Sequence, residues 1–142
     1  MKQPSKKKRL IVLIISGIIA LSASLILYFS PKDPNLNIEI TELVAKYNEN
    51  CPLLIQPGIR LDSVSLPQKQ VVQYNLTLVN VEKQTAEIET IKENIAQSLI
   101  STAKSNPGLR TFRKNSFTLI YSYKDKKGIY LFQVTITPDQ YK

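Results

Sequence analysis

The chain has 142 residues, enough for about one domain. It contains no histidine and a single cysteine, Cys51, which excludes Ser-His and Cys-His nucleophile pairs, histidine metal ligands, multi-cysteine metal clusters and an intramolecular disulfide. The formal charge of +8 would suit a nucleic-acid partner, but its distribution along the chain argues otherwise.

Residues 1–9 form a basic tail: Lys2, Lys6, Lys7, Lys8 and Arg9 precede the first apolar run with no acid among them. Residues 10–29, Leu10 to Phe29, are twenty residues without a charge. A helix of that length is about 30 Å long, the hydrocarbon thickness of a bilayer. A polar stripe of the kind a buried core helix shows is absent. The expectation is a transmembrane signal-anchor helix. A cleaved signal peptide is the alternative, with Ala20-Leu21-Ser22 and Ser22-Ala23-Ser24 as small-x-small sites. The apolar run continues from Ser24 to Phe29 beyond both cuts, which favours retention. Lipid modification is excluded because no cysteine lies in or just after the run.

Cation-rich short flanks stay in the cytoplasm. The tail is therefore expected there, with residues 30–142 outside, in a periplasm, the extracellular space or a lumen. It accounts for five of the 19 Lys and Arg residues, leaving 14 against 11 acids, a net of +3, in the rest of the chain. Most of the basic excess thus reads as a topology signal, and nucleic acid is not expected as a partner. Within the span, Ser16, Gly17, Ala20, Ala23 and Ser24 place small residues along one helix face. Such a face lets two membrane helices approach closely, so a packing site for a transmembrane or envelope partner, or for a second copy, is expected there.

Residues 30–35 read as a linker held extended by Pro31 and Pro34. The domain then occupies 36–142. A first helix is expected from Leu36 to Asn48, with Leu36, Ile40, Leu43, Val44 and Tyr47 on one face. Cys51-Pro52 ends it, and Cys51, followed by Leu53, Leu54 and Ile55, is expected to be buried and inert. Pro57-Gly58 is turn chemistry. The strand Ile59–Leu66 follows, its apolar parity switching near Asp62-Ser63 as at a bulge. Val71–Val81 alternates with Tyr74, Leu76 and Leu78 on one face. A second helix, Thr85–Lys104, carries the stripe Ile88, Ile91, Ile95, Leu99 and Ala103. Asn106-Pro107-Gly108 breaks it, and a short turn puts Leu109 and Phe112 inward. Phe117–Lys124 and Ile129–Thr137 form a hairpin about Asp125-Lys126-Lys127-Gly128. The order α-β-β-α-β-β predicts an α+β domain with a four-stranded antiparallel sheet and its helices on one face.

No residue pattern supports a catalytic, cofactor or metal site. Asp62 beside Arg60, with Glu82 and Asp139, forms no spacing that chemistry requires, and Cys51 lacks a base. Asn75-Leu76-Thr77 matches a glycosylation acceptor but lies inside a strand. Arg110, Arg113 and Lys114, with Lys124, Lys126 and Lys127, form two basic clusters flanking one strand. They are the candidate contact surface for lipid headgroups or an acidic partner.

Several segments, Asn50-Cys51-Pro52, Arg60-Leu61-Asp62-Ser63-Val64, Tyr74-Asn75-Leu76-Thr77-Leu78 and Tyr121-Ser122-Tyr123-Lys124-Asp125-Lys126-Lys127-Gly128, carry a resemblance. With Asn106-Pro107, Leu109-Arg110, Phe112-Arg113 and Ile136-Thr137-Pro138, the chain resembles an uncharacterised family of small exported or membrane-anchored bacterial envelope proteins. The resemblance implies a bacterial envelope protein, which with the expected anchor means the inner membrane, N-terminus cytoplasmic and C-terminal domain outside, and it assigns no activity to any residue. Several such relatives carry a second cysteine late in the long helix, where this chain has Ser98 to Ser105 without one. The expected function is that of a non-enzymatic, single-pass accessory subunit or interaction module of a membrane complex. The alternative is a tethered ligand- or peptide-binding domain.

Overall fold

Residues 34–142 are described by a computed structural model. Helix α1 (Pro34–Glu49) opens on a proline, whose fixed φ suits a first helical turn. It buries Ile40 and Val44 and sets Leu36, Leu43 and Tyr47 against the core margin. Three strands follow as a meander: β1 (Leu53–Gln56), β2 (Ile59–Gln68) and β3 (Val71–Leu78). Gly58 supplies the left-handed backbone of the first two-residue turn at φ +83°, and Gln70 that of the second at φ +55°. The β2–β3 register slips between Leu61↔Leu76 and Ser63↔Asn75, where the parity switch predicts a bulge.

Helix α2 (Ile88–Ser105) starts three residues later than its periodicity suggests, because Lys83 to Thr85 form a turn first. Ala103 on its stripe is fully buried, while Ile88, Ile91, Ile95 and Leu99 are partly buried against the core. A 3-10 turn, Pro107–Leu109, and the short α3 (Arg110–Lys114) turn Leu109 and Phe112 inward. Strands β4 (Thr118–Lys124) and β5 (Tyr130–Ile136) and a last helical turn, α4 (Pro138–Tyr141), complete the domain.

The fold is α+β, but the sheet expectation is corrected. It has five strands in the order β1-β2-β3-β4-β5, and it is mixed, since β3 and β4 run parallel. The added strand, β1, was hidden because Leu53-Leu54-Ile55 does not alternate and lies between two prolines. The parallel pair follows from the connection: a crossover of helical length brings the chain back beside β3 in the same direction, and side-chain periodicity carries no strand direction. The membrane-helix element of that expectation is corrected too. Among the described residues no helix is long and apolar enough to cross a membrane. The tail, the anchor expected over 10–29 and its small-residue face (Ser16, Gly17, Ala20, Ala23, Ser24) lie outside the described residues.

Parallel register sets Val72, Tyr74 and Leu76 beside Leu119, Tyr121 and Tyr123, and β5 adds Phe132, Val134 and Ile136. All nine are buried, and with the helices they make one core. The Tyr74 and Tyr121 rings stack at 5.0 Å, and Phe112 meets Phe117 edge-on at 5.3 Å. On the opposite sheet face Gln73, Asn75, Ser122, Gln133 and Thr135 keep partial or full exposure.

Candidate functional site

Of the two basic clusters, the one at the β4–β5 turn is engaged within the domain. Lys126 Nζ meets Glu82 Oε2 at 2.8 Å, and Lys127 Nζ pairs with the other oxygen of the same carboxylate. The hydrogen bonds from Lys126 and Lys127 hold the Glu82 carboxyl below the usual range. That of Glu82 in turn raises the Lys127 ammonium. Beneath them Asp125 is fully buried and accepts backbone N–H bonds from Lys83, Lys127 and Ile129 at 2.8 to 3.1 Å. Desolvation pushes its carboxyl up, but those three donors and the Lys127 charge together hold it below the ordinary value. Lys124 is exposed at the end of β4.

In the other cluster, Arg113 Nη1 donates to the Ala103 and Asn106 carbonyls at 3.0 and 2.6 Å. It thereby satisfies carbonyls left open where α2 stops. Arg110 and Lys114 are exposed.

Asp62 and Asp139 have local partners. Asp62 accepts Arg60 Nε and Thr77 Oγ1, both at 2.6 Å. Asp139 lies in the first turn of α4, where the Thr137 side chain holds its carboxyl below the usual range. Among the described residues no group of three or more Cys, Asp or Glu could hold a metal ion. The half-buried Cys51 thiol donates to the Tyr47 carbonyl at 3.3 Å, and burial, then the Asp62 charge, pushes its pKa up. Asn75 of the acceptor-like triplet is part of β3 and donates to Ser63 Oγ at 3.0 Å.

The most unusual surface is one that sequence reasoning missed. Strand β1 forms the sheet edge, and its Leu53, Leu54 and Ile55 are 48%, 63% and 47% exposed. An open depression of about 470 Å³ adjoins it, lined by Leu54, Ile55, Gln56, Pro57, Gly58 and Val79. The signal for it was present in Pro57-Gly58, a two-residue turn that needs a strand on each side.

The chain belongs to a domain family of unknown function, DUF8479, whose model matches residues 37–132. No curated protein matches it. Among solved structures it is similar to a Pseudomonas aeruginosa protein thought to be secreted, at 15% identity and a TM-score of 0.64, covering 80% of this chain and 98% of that one. It is similar to EpsS, the pilotin of the Vibrio vulnificus type 2 secretion system, at 8% identity and a TM-score of 0.61, covering 76% and 93%. It is also similar to AspS, the Vibrio cholerae type II secretion system pilotin, at 12% identity and a TM-score of 0.58, covering 75% and 92%. At such identities the likeness is one of fold. Family and neighbours fit the uncharacterised bacterial envelope family that the sequence resembles. They also correct the expected inner-membrane, signal-anchored, single-pass placement. No described helix spans a membrane, and the solved neighbours are a protein thought to be secreted and two secretion-system pilotins.

Proposed function

We propose that this chain is a non-enzymatic accessory subunit or interaction module of a bacterial envelope complex, contacting a component of a secretion-type assembly. The observation that carries the reading is the shared fold. Two proteins whose names describe them as pilotins of type II secretion systems align over more than nine-tenths of their length with three-quarters of this chain. The described side chains are consistent with such a role: Asp62 and Glu82 are engaged by Arg60, Lys126 and Lys127 within the domain, and an exposed apolar strand remains for contact. For the alternative, a tethered ligand- or peptide-binding domain with its contact at the basic hairpin, Glu82 occupies two of the three cations there.

Affinity purification of the full chain in mild detergent, followed by mass spectrometry, tests the proposal. A near-stoichiometric envelope protein is the expected companion. Recovery of the chain alone, as a monomer, would overturn the accessory-subunit reading.

A further inference from the structure

The side of the sheet that ends in β1 is protected along most of its length. Strand β1 covers β2 only as far as Leu61, so beyond that point β2 is itself an edge. There the Asn48 side chain takes the place of a neighbouring strand. Its Nδ2 donates to the Val64 carbonyl and its Oδ1 accepts the Val64 N–H, both at 2.8 Å. Further along, Pro67 has no N–H to offer. Amide capping and an edge proline are ways in which proteins keep an edge from pairing with another chain.

Strand β1 has no amide cap and no proline within its four residues; Pro52 and Pro57 only bound it, and its pairing with β2 slips once, between Leu54 and Gln56. From Pro52 to Gly58 it carries no charge, and all four strand residues are exposed. Because ladder bonds alternate in direction, about half of its residues turn both N–H and C=O away from β2. That row of groups specifies an extended backbone as its complement. Three half-exposed apolar side chains and the depression beside them specify apolar groups on that backbone.

Size decides the occupant. Four strand residues span about 13 Å, whereas a stable interface between globular proteins takes roughly 20 to 30 residues a side. A second copy held by this edge alone would be too weakly seated, and a short peptide fits. We infer that β1 is a strand-addition site that binds an extended, uncharged, apolar segment of a partner protein as a sixth strand of the sheet. The inference rests on the accessory-subunit reading and assigns its contact surface.

The probe is a synthetic ten-residue peptide of alternating valine and threonine, with a control N-methylated at its four central residues. With the full chain in mild detergent, the parent peptide should slow amide exchange across 53–56 at least fivefold, and the N-methylated control should not. Leu54→Lys combined with Ile55→Lys, both at exposed positions, should weaken peptide binding at least tenfold. Equal binding of both peptides, protection at β5 instead of β1, or no binding would overturn the inference. The peptide pair decides this without any variant.

The purification above, repeated with the double-lysine variant, separates the two proposals. A partner lost only by the variant supports the edge site. A partner retained equally by both chains overturns the edge site and leaves the accessory role standing. Recovery of no partner by either overturns the accessory role, and the peptides alone then judge the edge.

Discussion

Two buried tyrosines show how little of a side chain's value lies in its name. Tyr74 is 6% exposed, stacked on Tyr121 and edge-on to Tyr47, yet its hydroxyl has no hydrogen-bond partner among the described residues. Tyr141 is 5% exposed, and its hydroxyl donates to the Phe117 carbonyl at 2.6 Å. Burying an unpaired hydroxyl costs free energy, whereas losing a paired one leaves a carbonyl stranded. Tyr74→Phe should therefore be neutral or stabilising by about 1 kcal/mol. Tyr141→Phe should be destabilising by about 1–2 kcal/mol. Urea unfolding of both variants checks this, and a loss at Tyr74 equal to that at Tyr141 would contradict it. Burial also raises the Tyr74 phenol well above its ordinary value, so the ring stays neutral throughout the physiological range.

At the scale of elements, the chain segment after β3 and the β4–β5 hairpin are tied into one unit. Glu82 takes Lys126 and Lys127, Asp125 takes the Lys83 N–H, and Lys126 N–H reaches the Val81 carbonyl at 3.0 Å. Both carboxyls titrate below their unfolded values and Lys127 titrates above its own. The carboxylate contribution is complete above an unfolded pKa of about 4 and is lost as pH falls through the depressed folded values. The Lys127 contribution is complete below an unfolded pKa of about 10.4 and is lost as pH rises through the raised folded value. Glu82→Gln should accordingly lower the urea midpoint at pH 7, with the gap to wild type narrowing between pH 4 and 2. A gap that holds constant to pH 2 would contradict this. This tie also marks the boundary of what the sequence disclosed. The hairpin at Asp125–Gly128, the α2 stripe, the alternation of β3 and the slip at Asp62-Ser63 are local patterns and were legible. Pairing of Glu82 with Lys127 spans 45 positions and leaves no periodic trace, so the cations there read as free. Strand β1 was too short and too uniformly apolar to show a period, and α4 is a single turn.

For the molecule as a whole, the described residues close on one core. Its buried members run from Ile40 to Tyr141, and partly buried residues from Leu36 onward pack against it. The sheet faces that core on one side and carries polar side chains on the other, with β1 as its bare apolar edge. A domain of about a hundred residues with one such core is expected to unfold as a single cooperative unit. Because residues at both ends, Leu36 in α1 and Tyr141 in α4, pack on the same core, neither end of the described segment should unfold separately. A chain beginning at Pro34 should therefore fold by itself. Its near-ultraviolet and far-ultraviolet transitions in urea should coincide, and it should bind the valine–threonine peptide as the full chain does. Diverging transitions would show that the core needs residues before Pro34. Coincident transitions with peptide binding lost would instead place part of the strand-addition site in that preceding segment.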